Sequence, residues 1–265
     1  MLEEITVVKN FKALLLAGGK TKHALKKVTG QEYKAMMTID AVNSQPIIYH
    51  MVEILKNTKH ISTIYVAGPE EVNQLISPQV NGLIPSGSTL IDTLKASIPQ
   101  LQNESHILIA TCDIPLVLSQ HIEYFIENCL ANPGFDIYYS IINKETYTQL
   151  FPSNDLRRIY ANLVEGSYTG GNLFLINPQV IIDCAKIIEQ FILFRKHPLK
   201  MARILGKRIV IKYLKKYLSI RDLEKLVPHY LKGYTGKAIL ADPEIALDID
   251  KPVQLEAIKS QFRAS

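Results

Sequence analysis

The sequence predicts an α/β fold built around a largely parallel sheet, and two observations support this prediction. Through the first half of the chain, short apolar runs alternate with segments whose apolar residues keep a helical period. Such alternation predicts parallel strands joined by right-handed helical crossovers. In addition, glycines or an aspartate follow the predicted strands, at Gly18-Gly19, Gly68 and Asp113. Parallel sheets bind ligands at the carboxyl ends of their strands, so these residues mark a candidate site.

The elements of the first half follow from their apolar patterns. Short apolar runs predict strands over residues 13–16, 36–39, 61–67 and 107–111. The last of these runs is apolar throughout, which is typical of a strand buried on both faces. Amphipathic periods predict helices over residues 46–55, 70–75 and 89–98. Between them, the glycines, proline and serines of residues 82–88 predict a turn.

The second half is less regular. Its patterns predict strands over residues 136–142, 172–176, 239–241 and 245–247. They predict helices over residues 119–129, 178–191, 220–227 and 252–262, and a polar excursion over 144–160. The third of these helices has a capped start, since Ser219 is followed three residues later by Asp222.

Composition places the chain among ordinary globular proteins. It has 265 residues, of which 47% are hydrophobic and 21% charged, enough for one large domain with a sizeable core. The amino-terminal MLEEITVVKN lacks a signal-peptide pattern, which predicts a cytoplasmic location. Cys112, Cys129 and Cys184 are widely spaced singles, so we expect buried small hydrophobes, not disulfides or a zinc site.

Positive charge is concentrated in one segment. Residues 195–216 contain nine Lys or Arg and no Asp or Glu, within a chain whose net charge is +5. Lys196, Lys200, Arg203 and Lys207 recur along one helical face. The segment is either a solvated helix face or a binding surface for an anionic acceptor, a membrane surface or nucleic acid. We rank a phosphorylated small molecule first and expect no nucleic acid.

The stretch ALLLAGGKTKHALKKVTGQEYK, residues 13–34, predicts an anion-binding loop. Two consecutive glycines permit positive φ angles and let bare backbone approach a ligand. Successive backbone N–H groups in one concavity bind anions. Lysines surround this turn: Lys20, Lys22, Lys26, Lys27 and Lys34. The predicted ligand is a polyphosphate.

Spacing excludes the two best-known phosphate loops. A Walker loop needs a glycine five positions before Gly19, where this chain has Leu14. A dinucleotide fingerprint needs G-x-G-x-x-G, whereas KTKHA follows the adjacent glycines here. The chain also lacks an H-E-x-x-H motif, a G-x-S-x-G elbow and a Cys–His pairing, so no residue is a candidate for covalent catalysis.

Three carboxylates are the remaining candidates for chemistry. Asp113 follows the apolar strand in ATCDIPLV, where it is either a turn residue or a metal ligand. Asp248 and Asp250 alternate in ALDIDKP, so in a strand they would point the same way. Mg²⁺ prefers a few carboxylates together with phosphate oxygens, so Asp113 with one of this pair predicts a Mg²⁺ site. A glycine loop, an isolated lysine and separated aspartates favour phosphoryl or nucleotidyl transfer.

These motifs in combination resemble one enzyme group. LLLAGG, the isolated Lys34, a Gly-Ser pair before a helix, ATCDIP, TGGN and DIDKP resemble the nucleotidyltransferases that include molybdenum-cofactor guanylyl- and cytidylyltransferases and sugar-phosphate nucleotidylyltransferases. The resemblance implies a three-layer α/β/α Rossmann-like nucleotide-diphospho-sugar transferase fold with a mostly parallel, mixed central sheet. It implies a single domain over residues 1–265, with a helical basic insertion or cap at about 179–237.

The resemblance also implies roles for individual residues. Catalysis would fall to Lys20, Lys34 and Asp113. The nucleotide would be bound by Leu16, Ala17, Gly18, Gly19, Lys20, Lys34, Gly68, Gly87, Ser88 and Thr89. The acceptor would meet Thr169, Gly170, Gly171 and Asn172. The metal would be held by Asp113 and Asp248, with Asp250 as the less favoured alternative to Asp248.

The implied activity is Mg²⁺-dependent transfer of a nucleoside monophosphate from an NTP, with CTP or GTP favoured, to a phosphorylated or hydroxyl-bearing small molecule. A glycosyltransferase on a related fold and a catalytically silent nucleotide-binding regulator remain alternatives. Members of the group usually have an arginine and a further glycine shortly after the glycine pair, whereas this chain has lysines and a delayed Gly30. The resemblance implies that Lys22 or Lys26 replaces the arginine as a point charge.

Overall fold

The structure, a computed structural model, describes residues 10–39, 45–194 and 204–264. In this part of the chain the strands are β1 (Phe11–Leu16), β2 (Ile61–Gly68), β3 (Gly82–Pro85), β4 (Ile107–Thr111), β5 (Ile137–Asn143), β6 (Ala161–Leu163), β7 (Gly166–Ile176) and β8 (Gly236–Leu240). They form one eight-stranded sheet with the order β3-β2-β1-β4-β7-β5-β8, and β6 pairs with β7.

Strand direction makes the sheet mixed, as predicted. Strand β1 pairs in parallel with both β2 and β4, and β2 pairs in parallel with β3. Strand β5 is parallel to β8. Strand β7 runs antiparallel to both of its neighbours in the sheet, β4 and β5. The apolar run of β4 is explained by its central place, where both faces are covered.

The described helices are α1 (His23–Thr29), α2 (Ile47–Lys56), α3 (Glu70–Ile76), α4 (Leu90–Leu101), α5 (Ser119–Ala131), α6 (Lys144–Leu150), α7 (Pro178–Phe194), α8 (Lys207–Leu214), α9 (Ile220–Glu224), α10 (Val227–Tyr230) and α11 (Pro252–Ala264). They cover both faces of the sheet. In β1, Ala13 and Leu15 pack into a core cluster with α2, α5 and α11, while Leu14 packs into a second cluster with α4 and α7. The three-layer α/β/α arrangement is therefore confirmed.

Three short elements differ from their predictions. Residues 36–39 are not a strand, because a 3-10 helix (Lys34–Met36) turns the chain and a single bridge joins Thr38 to Pro46. Residues 82–88 are not entirely a turn, since the edge strand β3 occupies their start and Pro85 ends it, as an edge strand permits. Residues 245–247 are not a strand, because Pro243 begins a 3-10 helix there.

The polar excursion at 144–160 also contains more structure than predicted. It begins with α6, whose first amides are capped by the Asn143 side chain at 2.6 Å from the Glu145 amide. The apolar Tyr147 and Phe151 fix this short helix to the core, with ring centroids 5.0 Å apart. This largely polar segment is therefore held to the core by two buried aromatic side chains.

The basic segment is described only in part. Lys196, Lys200 and Arg203 lie outside the described residues. Gly206 has a φ of +81° and precedes the first residue of α8, so the predicted continuous face reaching Lys207 is wrong. The capping box of Ser219 and Asp222 is confirmed, although its helix ends earlier than predicted, at Glu224. The proposed insertion at 179–237 stays a prediction.

Among the described helices, none combines the length and apolar character needed to cross a membrane. The three cysteines are free and buried, as predicted. Burial raises the pKa of Cys112 and Cys129 well above the usual range, so both thiols stay protonated.

Candidate functional site

The carboxyl ends of β1, β2 and β4 meet at one edge of the sheet. The Ala17 amide donates to the Ala67 carbonyl at the end of β2 (2.8 Å). The Cys112 amide donates to the Leu16 carbonyl (3.0 Å), which brings Asp113 beside the start of the glycine loop. The predicted convergence of strand ends is therefore present.

The glycine pair is needed for close approach, not for an unusual backbone angle. Neither Gly18 nor Gly19 has a positive φ among the glycines described. A Cβ on Gly18 would lie 3.2 Å from the Ser86 Cβ, on the loop after β3. A Cβ on Gly19 would have the Lys34 Cδ as its nearest neighbour, at 3.7 Å. A ligand can therefore approach the backbone at Gly19.

The loop returns on itself and delivers Lys34 to the sheet edge. Lys20 and Tyr33 form an antiparallel bridge, and α1 lies between them. The Lys34 amide then donates to the Gly19 carbonyl (2.8 Å). The lysine that follows the loop is therefore fixed by backbone contacts to the glycine pair.

Lys34 is buried between two carboxylates. Its residue is 8% exposed, and its Nζ lies 2.6 Å from Asp113 Oδ2 and 2.6 Å from Asp250 Oδ1. Burial by itself would lower the pKa of the ammonium group, but the two carboxylates outweigh burial and raise that pKa above the usual lysine value. Lys34 is therefore a permanent cation at the centre of the site.

The segment of residues 247–250 brings the other two aspartates to Asp113. It belongs to no strand, which corrects the geometry predicted for Asp248 and Asp250. The Ile249 amide donates to the Asp113 backbone carbonyl (3.0 Å). Gln254 at the start of α11 accepts from the Asp250 amide (2.7 Å). One oxygen from each aspartate lies within 4.8 Å of the others, so all three carboxylates belong to one cluster.

Two lysines of the loop have different partners. Lys22 Nζ lies 2.5 Å from Asp250 Oδ2 of the cluster, whereas Lys26 pairs with Glu32. Although burial opposes ionisation, the contacts from Lys22 and Lys34 hold the pKa of Asp250 well below its ordinary 3.8. The structure therefore brings Lys22 to the carboxylates, and does not bring Lys26.

Arg158 was missed by sequence reasoning. Its Nη1 donates to Asp248 Oδ1 (2.7 Å) and to the Ala246 carbonyl, while Nη2 donates to the Gly170 carbonyl (3.3 Å). Its Nε donates to the Thr169 hydroxyl (3.3 Å). The Arg158 guanidinium therefore connects Asp248, a candidate metal ligand, to Thr169 and Gly170 of β7. No local signal in LRRIY identifies the residue, because its partners are 11 to 90 positions away.

The cluster suits a divalent cation. Carboxylate oxygens are the donors that hard cations such as Mg²⁺ prefer. The Lys34 ammonium already lies between Asp113 and Asp250, so the space between these carboxylates accepts positive charge. The three carboxylates of the cluster are matched by three side-chain cations: Lys22, Lys34 and Arg158.

The loop before α4 lies beside the glycine pair. Thr89 and Asp92 form a reciprocal capping box, and Ser88 Oγ donates to Asp92 Oδ2 (2.5 Å). A Cβ on Gly87 would lie 2.4 Å from the Asp92 Cβ, so the turn requires glycine. Gly68 is close by, since its carbonyl accepts from the Ser86 amide (2.9 Å). The side chains of Ser88 and Thr89 already have local partners.

The TGGN segment on β7 packs closely against β5. A Cβ on Gly170 would lie 1.7 Å from the Tyr139 hydroxyl, and one on Gly171 would lie 2.4 Å from the Ser140 hydroxyl. The Asn172 side-chain amide donates to the Ile245 carbonyl (2.9 Å). Packing alone therefore explains both glycines, and their predicted contact with an acceptor stays a prediction.

Lys20 lies at the rim of the site. Its Nζ is 3.8 Å from Glu32, and its side chain is 69% exposed. The structure does not bring it to the three carboxylates. A ligand above the glycine pair remains within the reach of such a long, exposed side chain.

Comparison with known proteins identifies related sequences and folds. The model of the MobA-like NTP transferase domain family matches residues 13–226. A search of curated proteins finds no match. A hypothetical transferase from Thermus thermophilus is 26% identical, with a TM-score of 0.78, and the alignment covers 93% of this chain and 99% of that one.

Two further solved structures share the fold at low identity. A CMP:2-keto-3-deoxy-manno-octonic acid synthetase complexed with CTP is 10% identical, with a TM-score of 0.60 and coverage of 97% of this chain and 99% of that one. A 4-diphosphocytidyl-2C-methyl-D-erythritol synthase from Anaerococcus prevotii is 10% identical, with a TM-score of 0.55 and coverage of 96% of both chains.

Proposed function

The chain belongs to the MobA-like NTP transferase family, and from this premise we propose that it is a Mg²⁺-dependent nucleotidyltransferase. It would transfer a nucleoside monophosphate from an NTP to a small-molecule acceptor and release pyrophosphate. The observation that supports this proposal best is the carboxylate cluster of Asp113, Asp248 and Asp250 around the buried Lys34, beside an open glycine loop.

The proposed reaction is an in-line displacement at the α-phosphorus. A phosphate or hydroxyl oxygen of the acceptor forms a bond to that phosphorus, and the bond to the oxygen bridging the α- and β-phosphorus breaks. The electron pair of the broken bond leaves with pyrophosphate, and a hydroxyl acceptor gives up its proton. Bound to the three aspartates, Mg²⁺ would polarise the phosphate oxygens and neutralise developing charge. Such a reaction depends mainly on positioning and electrostatics.

The lysines would change partners when nucleotide binds. In the described state, Lys22 and Lys34 are paired with Asp250, and Lys34 also with Asp113. A triphosphate above Gly19 offers stronger anionic partners to both ammonium groups, which releases the carboxylates for the metal. Lys34 would stabilise the leaving pyrophosphate, while Lys22 would replace the missing arginine as a point charge.

The proposed donor is CTP or GTP and the proposed acceptor is anionic. A structural relative is a CMP-sugar-acid synthetase complexed with CTP, which supports a pyrimidine donor by analogy of fold. Thr169 to Asn172 lie beside the cluster, because the Thr169 hydroxyl and the Gly170 carbonyl share Arg158 with Asp248. This segment is our proposed acceptor side.

Pyrophosphate release tests the proposal. Purified protein with Mg²⁺ is assayed with each of the four NTPs and a panel of phosphorylated acceptors. We expect release with one preferred NTP, loss of at least about a hundredfold in rate for Asp113→Ala and Lys34→Ala, and little change for Lys27→Ala, an exposed lysine of α1.

Other outcomes of this assay discriminate the alternatives. Activity that survives both Asp113→Ala and Lys34→Ala would contradict the assigned site. NTP binding without turnover on any acceptor would favour a silent regulator. Turnover of a nucleotide sugar in place of an NTP would favour a glycosyltransferase, although the mid-chain CDIP motif has one carboxylate where that class usually has D-x-D.

A further inference from the structure

A group of strongly exposed apolar side chains lies at the end of α8 and at the neighbouring hairpin. Leu214 at the end of α8 is 74% exposed, Tyr217 just after it is 70% exposed, and Ile211 one turn earlier is 53% exposed. Val164, at the tip of the β6–β7 hairpin, is 60% exposed. The hairpin tip touches the same region, because the Val164 amide donates to the Leu218 carbonyl (2.9 Å).

Cations surround these apolar side chains. Residues 207–217 contain five Lys or Arg and no Asp or Glu. Lys212 is paired with Asp222 at 2.7 Å, whereas Lys207, Arg208, Lys215 and Lys216 have no ion pair within the described part of the chain. We call the four exposed apolar residues and these four cations the docking patch.

Lys216 occupies a backbone position that favours glycine. Its φ is +60°, the Lys216 amide donates to the Tyr213 carbonyl (3.0 Å), and the Tyr217 amide donates to the Lys212 carbonyl (2.8 Å). These are the two hydrogen bonds of a Schellman helix end, in which glycine usually occupies the left-handed position. The chain has a lysine there, as it does at Lys232 outside the patch, where φ is +52°. At Lys216 the left-handed backbone costs stability, and the side chain adds a positive charge at the exposed end of α8.

We propose that the docking patch binds the surface of an anionic lipid membrane. Exposed aliphatic and tyrosine side chains lie at the end of α8 and on the β6–β7 hairpin, flanked by four cations without an ion pair in the described part of the chain. They match both the apolar boundary and the negative charge of such a surface. An aqueous anion would need the cations but not the exposed Leu214 and Tyr217. The inference is independent of the proposed chemistry.

Vesicle co-sedimentation tests the inference on the full chain. We expect binding to vesicles of mixed phosphatidylglycerol and phosphatidylcholine, little binding to pure phosphatidylcholine, and weakening as salt is raised. Leu214→Ser with Tyr217→Ser should reduce binding at least about tenfold, because two exposed apolar contacts are lost. Val28→Ser removes a 58% exposed apolar side chain elsewhere and should leave binding unchanged.

Lys216→Gly separates charge from structure. Relieving the left-handed strain should raise Tm by about 2–4 °C, whereas loss of one cation should weaken vesicle binding about fivefold. Vesicle binding that is absent in the parent, or unchanged in Lys216→Gly and in the Leu214/Tyr217 variant, would overturn the inference. Because pyrophosphate release is assayed with soluble acceptors and no vesicles, that result would leave the proposed function standing.

Discussion

At the scale of single residues, Lys34 determines the electrostatics of the site. A lysine that is 8% exposed is stable as a cation only where opposite charge replaces the lost hydration. Asp113 and Asp250 supply that charge at 2.6 Å each. Removing the ammonium group leaves two carboxylates close together and partly desolvated, which is less favourable than the loss of an exposed ion pair.

We therefore expect Lys34→Ala to lower the free energy of unfolding by roughly 2–3 kcal/mol. Mn²⁺ or Mg²⁺ should restore more stability to this variant than to the parent, because the divalent ion replaces the missing cation. Urea denaturation with and without metal measures both effects. Lys20→Ala, at the exposed rim, is the matched control and should change stability by less than about 0.5 kcal/mol. Equal metal responses in parent and variant would contradict this account.

Asp250 gives the site a defined response to acid. Its pKa in the folded chain lies below the ordinary 3.8, so its contribution to stability is complete above pH 3.8 and is lost as the pH falls further. The difference in unfolding free energy between the parent and Asp250→Asn should therefore be constant near neutrality and shrink below about pH 4. Denaturation curves at pH 7 and pH 3 measure it. A difference that grows on acidification would refute the assignment.

Arg158 contacts two segments that a shorter cation would not join. We expect Arg158→Lys to keep the charge beside Asp248 but to lose the contact with Gly170, and Arg158→Gln to lose both. Mn²⁺ affinity in the presence of NTP, measured by calorimetry, should fall in the order parent, lysine variant, glutamine variant. The neighbouring Arg157→Gln is the control, since that side chain is exposed. Parent-like affinity in Arg158→Gln would remove Arg158 from the site.

At the scale of elements, β7 pairs with β4 and β5 in the central sheet and also contacts Arg158 of the candidate site. Tyr139 of β5 pairs with Phe174 of β7, and Ile141, two residues further along β5, pairs with Gly170, four residues away on β7. Strand β7 therefore has two extra residues at this point, which form a bulge. Ser140 fills this bulge, because its hydroxyl donates to the Leu173 carbonyl and accepts from the Leu173 amide. Bulges redirect strands next to functional sites, and this one brings Gly170 to Arg158.

Gly170→Ala should lower the free energy of unfolding by about 1–3 kcal/mol, because its Cβ would displace Tyr139 from its stacked contact with Phe174. Gly19→Ala provides the contrast. Its Cβ meets no atom closer than 3.7 Å, so stability should be unchanged, but nucleotide should no longer reach the backbone. Thermal denaturation and NTP titration of both variants measure the two effects. A stable Gly170→Ala variant would mean that the bulge is not tightly packed.

Elements with strong apolar patterns were predictable, and short ones were not. Strand β4 was clear because its residues are buried on both faces. Residues 36–39 were mistaken for a strand, because they include apolar residues that are buried by a 3-10 turn and a single bridge. Asp113 could be identified from the end of β4, and Lys34 and the Asp248/Asp250 pair from their motifs, although the strands predicted beside them at 36–39 and 245–247 are absent. Arg158 could not be identified, since its contacts exist only after the chain has folded.

At the scale of the whole molecule, the balanced charges of the site predict linked binding. While Lys22 and Lys34 are paired with the carboxylates, a divalent ion must displace them and a triphosphate must attract them away. Each ligand alone therefore works against existing ion pairs. When both are present, the divalent ion binds the carboxylates and the triphosphate binds the lysines. Binding of the first ligand therefore favours binding of the second.

We therefore expect Mg²⁺ and the preferred NTP together to raise Tm by more than the sum of their separate shifts, since a ligand of the native state stabilises it in proportion to RT ln(1 + [L]/Kd). Thermal shift with metal alone, nucleotide with chelator, and both together measures this synergy. In Lys22→Ala the synergy should shrink, because one of the competing ion pairs is absent. Purely additive shifts in the parent would contradict the exchange of partners.

The bond from the Ile249 amide to the Asp113 carbonyl has a consequence for biosynthesis. The site unites a loop lysine with an aspartate 216 positions later in the chain. During synthesis, the central strands can pair long before the 247–250 segment leaves the ribosome. A nascent or truncated chain that stops before Asp248 would thus hold Lys34 and Asp113 but would lack the two remaining carboxylates. In the proposed metal site, binding would therefore require that translation has passed Asp250.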